Sequence, residues 1–149
     1  MVLIAKAALY VKQKNVQQAV VSLEEGVAIQ DNFQYMEPEH FYTPLRQCLG
    51  AALLLKADET KDDERAHQAS EEAKDLVMEA VTVYRSDLRE HPNSVWALVG
   101  LRNCYIRLAE LAPGQGGSEL KLVDKALQSA SAHAETVPRG SCCELGLCT

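Results

Sequence analysis

The chain of 149 residues is 47% hydrophobic and 24% charged, enough for one domain with a core and too short for two large ones. A formal net charge of -6 disfavours a nucleic-acid binder, which carries the opposite balance. Eight glycines and five prolines exclude a collagen-like or low-complexity chain, and 5% aromatics amid abundant Ala, Leu, Val, Glu and Lys favour helix over sheet.

The first helix is expected from about Val2 to Gln13, where Leu3, Ala7 and Tyr10 recur at three- and four-residue steps. No capping residue precedes it, which implies a fraying first turn or a chain that continues further upstream. Lys14-Asn15 breaks the pattern. A second helix, about Val16 to Gln30, carries the stripe Ala19, Val20, Leu23, Gly26 and Val27, and so short a turn makes the pair a hairpin. The segment Phe33 to Pro44 holds two prolines and four of the seven Phe and Tyr residues. It is expected to be a loop pinned by its aromatics or used for recognition.

A third helix, about Thr43 to Ala57, has Thr43 as its cap and is apolar around much of its circumference, so it should pack on more than one side. Asp58 to Asp75 then holds eight acids and three Lys or Arg residues. It is expected to begin as a loop, to present a solvated acidic face and to merge into a long helix from about Arg65 to Glu90. His91-Pro92-Asn93 stops that helix. Ser94 caps a fifth helix to Leu111, and the PGQGG run breaks the chain. Ser118 is the expected cap of a sixth, reaching about Glu135 with the stripe Leu122, Ala126, Leu127, Ala130 and Ala134. The result is an all-α domain over 1–137, with pairs at about 1–31, 43–91 and 94–136, and a flexible Cys-containing tail at 138–149.

Three similar helix pairs suggest repetition. The run from Pro92 to Leu101, PNSVWALVGL, resembles the junction between two tetratricopeptide repeats. Trp96 and Gly100 hold the Trp and Gly places, Val99 stands for Leu, and Ala80, Tyr84 and Pro92 precede them in the Ala, aromatic and Pro places. Leu49, Gly50 and Leu53 fit the middle repeat, and Ala7, Tyr10, Ala19, Leu23 and Gly26 the first. Departures are Asp87 at an Ala place, Arg46 at a Trp place, Asn103 at a Tyr place, and an acidic insertion of about 18 residues between Gly50 and Ala80. The run YMEP..FY.P.R..LGAALL with the later HP.S.WAL.GL and SCC also looks like the C-terminal end of larger tetratricopeptide-type proteins, so Met1 is expected to be an internal position.

The resemblance implies a short right-handed α-solenoid whose first helices line a concave groove for a peptide or partner helix. The groove candidates are Lys12 (with Ala8 and Val11), Gln47 and Leu54 (with Ala51 and Leu55), and Ala97, Leu101 and Tyr105 (with Cys104). This set is largely apolar and unlike a carboxylate clamp. It suits an apolar peptide, a partner helix or a further segment of the same protein. A non-catalytic protein-interaction or scaffold role is therefore expected. The alternative is a structural C-terminal cap or self-association segment, with a homodimer formed through the first-helix face. An enzyme using the 33–46 loop, with Glu37, His40 and Arg46, is a remote third reading. Glu37 and Arg46 are better read as a structural ion pair.

No cofactor or metal is expected. The four histidines lack partners at helical metal spacing, and Cys142, Cys143 and Cys148 with His133 do not have zinc-ligand spacing. The acidic run lacks the order of a calcium loop, and the PGQGG loop follows no strand. Five cysteines without regular spacing do not suggest a disulfide framework; Cys48 and Cys104 read as small buried hydrophobes and the tail cysteines as mobile thiols. With no leader and no apolar run long enough for a membrane span, a cytoplasmic location is expected.

Overall fold

The computed structural model describes residues 2–32, 45–61, 66–143 and 145–146. It is all-α among these residues, with six helices: α1 Val2–Lys12, α2 Val16–Asp31, α3 Leu45–Lys61, α4 Ala66–Glu90, α5 Val95–Leu111 and α6 Gly117–Ala130. The expected loop at 33–44, with Glu37, His40 and the Thr43 cap, lies outside the described residues.

Each helix packs on the next in chain order, and α3 also touches α5. Short, well-capped turns set this path. Lys14 takes the left-handed conformation at φ 56°, and Asn15 Oδ1 accepts from the Gln18 amide at 3.3 Å, so α2 folds back on α1. Ser94 Oγ accepts from the Ala97 amide at 3.3 Å and starts α5 directly after the Pro92 stop.

The central helix is α3. Leu45, Cys48, Leu49, Ala51, Ala52, Leu53, Leu54 and Ala57 are all buried, which requires neighbours on several sides, and α2, α4 and α5 supply them. Tyr84 of α4 occupies the middle of the core with no exposed surface. Its ring lies between α3 and α5 where Gly50 and Gly100 leave room. A Cβ added at Gly50 would fall 2.6 Å from Tyr84 Cε2, and one at Gly100 2.6 Å from Tyr84 Oη. These contacts are the physical reason for glycine at both places: backbone must approach an aromatic face directly.

Asp87, at an expected Ala place, is buried and accepts from Gln47 Nε2 at 3.0 Å; His91 Nδ1 lies 3.2 Å from its other oxygen. Gln47 Nε2 also donates to Ser94 Oγ at 2.9 Å, so one amide ties α3 to the α4–α5 turn. The buried carboxylate is thus compensated by specific donors.

Four expectations are corrected. First, α3 runs on to Lys61 instead of ending at Ala57. The acidic segment starts helical because Asp58 receives both Nε and an Nη of Arg107 at 2.8 and 2.6 Å, and Thr60 Oγ1 donates to the Lys56 carbonyl at 2.9 Å. Second, α6 begins at Gly117 after Gly116 at φ 79°, and Ser118 donates to Glu119 instead of capping. Third, α6 ends at Ala130 and presents Leu120, Val123, Leu127 and Ala130 to the core, leaving Leu122 70% exposed. Leu127 and Ala130 of the expected stripe do face the core, but Leu120 and Val123 take the places expected for Leu122 and Ala126, which are exposed, and packing on α5 makes that choice. Fourth, part of the tail expected to be flexible is core: Gly140, Ser141, Cys142 and Leu145 are buried.

Candidate functional site: the α3–α5 face and the segment that covers it

The face shared by α3 and α5 holds most of the groove candidates, but it is not open. After α6 the chain turns back as non-helical backbone and lies across it. Asn103 Nδ2 of α5 donates to the Arg139 carbonyl at 3.1 Å. Ser141 Oγ is within 3.3 Å of the Gln47 carbonyl of α3 and hydrogen-bonds with Tyr84 Oη. Cys142 is joined to Cys48 by a disulfide spanning 94 positions, with Cα atoms 4.9 Å apart. Around these contacts sits a cleft of about 250 Å³, lined by Leu54, Leu55, Asp58, Asn103, Arg107 and Arg139 among others.

The segment meets α3 at the Gln47 carbonyl and α4 at the Tyr84 hydroxyl, both through Ser141. Gly140 and Ser141 are both buried there. The rim is charged, with the bidentate Arg107–Asp58 pair on one side. The floor is apolar, from Ala51 and Leu54.

The expected groove residues separate accordingly. Gln47, Leu54, Ala97, Leu101 and Tyr105 are each at most 5% exposed. Gln47 is spent on Asp87 and Ser94, and the Tyr105 hydroxyl accepts from Arg85 at 2.6 Å. Lys12 is exposed at the end of α1, away from any described contact with the others. Arg46 pairs with Asp31, and with Glu90 at 3.8 Å. The expected Glu37 partner lies outside the described residues. On α1, Val2 and Leu9 are 81% and 54% exposed.

The cysteine readings change most. Cys48 is a disulfide half-cystine, not a thiol, and Cys143 is also disulfide-bonded. The expectation that the cysteines form no disulfide framework is thereby corrected: their irregular spacing hides a pairing that only the fold brings together. No helix among the described residues is long and apolar enough to cross a membrane. Among the described residues, no three His, Cys, Asp or Glu side chains are grouped to hold a metal ion.

Comparison with family models, curated proteins and solved structures gives no match. The functional reading therefore rests on this chain's own residues and packing.

Cys104 and Tyr84 are buried beside this face. Burial pushes the Cys104 thiol up to about 12 from its ordinary 9.0, and pushes the Tyr84 phenol well above 10.0. Both stay neutral in the fold while their unfolded counterparts ionise. Above pH 9 the unfolded chain holds fewer protons than the native one, so stability falls as pH rises, by ~1.4 kcal/mol per pH unit for each such group. The urea midpoint is expected to be flat to about pH 8, then to fall between pH 9 and 12. Cys104→Ala should remove the part of that fall that begins at pH 9, leaving the part that begins at pH 10. An unchanged profile in this variant would show that Cys104 is not the titrating group.

Proposed function

We propose that the chain is a non-catalytic, tetratricopeptide-like solenoid module that binds an extended peptide on its α3–α5 face. One observation carries this reading: a non-helical segment of the chain already lies on that face, held through its backbone at Arg139 and through the Ser141 hydroxyl. The sequential packing of α1 to α6 and the α3–α5 contact suit a solenoid in which alternate helices line one surface. The resemblance at Trp96, Gly100, Tyr84 and Gly50 points the same way, and the Tyr84 ring between two glycines gives that pattern a packing reason. The ligand chemistry is set by what holds the segment now. A backbone carbonyl accepts from Asn103, a buried glycine follows, and a hydroxyl reaches the Tyr84–Gln47 pair.

Panning random dodecapeptides against the full-length Cys142→Ser variant tests the reading. Selected peptides should be rich in small and hydroxyl residues, and Asn103→Ala should weaken them about tenfold, the scale of one hydrogen bond. Peptides that bind equally well to the Asn103→Ala variant would place recognition elsewhere.

A further inference from the structure

We propose that α1 of one chain docks in the cleft between α4 and α6 of a second copy, so that the protein associates with itself head to tail. The contact lies apart from the α3–α5 face and does not depend on what that face binds.

Both halves of the contact are present on one chain. On α1, Val2 and Leu9 are 81% and 54% exposed and lie seven residues apart, which places them on one face of the helix. Lys6 and Lys12 stand on either side of that stripe, one turn before and one turn after Leu9, and α1 holds no acidic residue. Lys6 rests over the Tyr10 ring of its own helix at 5.9 Å, and neither lysine has a carboxylate partner among the described residues.

The other half is complementary. α4 and α6 both pack on α5 and leave between them a cleft of about 430 Å³. Met78, Val81 and Arg85 of α4, Tyr105 and Leu108 of α5 and Glu119 of α6 surround it. Val81, Tyr105 and Leu108 are buried core residues that make its floor apolar, while Met78 on its wall is 47% exposed. Asp75, one turn before Met78, is exposed and has no ion-pair partner among the described residues. By contrast Arg46, Arg102 and Arg107 are paired within the chain, with Asp31, Asp124 and Asp58. The lysines of α1 and Asp75 are thus charges that the fold itself leaves unmatched.

The spacings agree as well. Leu9 seated between Met78 and Leu108, on a helix antiparallel to α4, brings Lys12 beside Asp75. Each charge is three residues from its seated neighbour, about 4.5 Å along either axis. The same pose turns Lys6 toward Glu119, which is exposed on the α6 wall. Two α1 faces do not serve each other in this way. Their apolar stripes match, but a two-fold pairing brings only lysines together, and like charges repel. The contact therefore joins two different surfaces. A copy whose cleft is filled still offers its own α1 to the next.

Sedimentation velocity of the full 149-residue chain over a rising concentration series is the test. The average mass should rise with concentration. Leu9→Asp, Lys12→Glu and Asp75→Lys should each weaken association about tenfold, a scale set by one apolar anchor or one charge pair. The circular dichroism of all three should match that of the parent, because the side chains are exposed. An equimolar mixture of the Lys12→Glu and Asp75→Lys variants reads the register. Alone, each variant sets like charge against like. Mixed, every junction between unlike chains again joins opposite charges, so the mixture should regain the association of the parent. A chain that stays monomeric at every concentration would overturn the proposal. So would association that survives Leu9→Asp, or a mixture that associates no better than either variant alone.

Discussion

Gly100→Ala destabilises the chain by about 3 kcal/mol or more, although alanine is the better helix former by about 1 kcal/mol. The added methyl meets Tyr84, whose hydroxyl oxygen is 2.6 Å from the ideal Cβ position and whose ring carbons are nearer still. The ring has no free space to move into, because the same ring faces Gly50 on its other side and is fully buried. α3 or α5 must therefore shift, and with it the Gln47, Asp87 and Ser94 bonds that hold the two helices at their present spacing. A double-mutant cycle with Tyr84→Leu checks the cause. Tyr84→Leu alone is costly, since it empties the centre of the core, but adding Gly100→Ala to it should cost little more. Urea midpoints of the four proteins measure this directly. If the two losses simply add, the aromatic ring is not what requires glycine at position 100.

The second large effect belongs to the disulfide. Cys48 and Cys142 close a loop spanning 94 positions, which on the chain-entropy account restrains the unfolded state by about 4.7 kcal/mol. Reduction, or Cys142→Ser, should lower the unfolding free energy by about that amount. The helices should remain folded in the absence of urea, because the core that packs α1 to α6 holds many apolar residues besides Cys48 and Cys142. Denaturation curves with and without dithiothreitol check this. Coincident midpoints would show that the bond does not restrain the unfolded chain. The Cys142→Ser variant should show no further loss on reduction from this bond, which separates its effect from that of Cys143.

These two effects sit on the same few residues. Tyr84 is at once the packing post between α3 and α5 and the hydrogen-bond partner of Ser141. The fold and the covering of the face are therefore coupled through one phenol. The same phenol oxygen also lies 3.4 Å from the Gln47 carbonyl of α3.

Much of the architecture was legible along the chain. Apolar residues at helical spacing placed α1, α2, α4 and α5 to within a few residues, because amphipathic period and capping are local properties. The all-round apolar pattern of α3 announced a central helix. The tetratricopeptide resemblance marked Gly50, Tyr84 and Gly100 separately, at different places of the repeat, and only the packed helices bring the three into contact. Where two local solutions were nearly equal, only packing chose. In α6 the expected Leu127 and Ala130 do reach the core, and contact with α5 selected Val123 over Leu122 to join them. The acidic start at Asp58 reads as loop until Arg107, 49 positions away, neutralises it. Gln47 looks like a groove residue until the buried Asp87 claims its amide.

By itself the sequence determined helix, hairpin order and the small residues that let helices approach, since each depends on neighbours within a turn or two. It could not determine that Cys48 meets Cys142, or that a tail without periodicity lies on the α3–α5 face. Those depend on the distance between points 94 positions apart, and only the packed helices bring them within reach of a bond.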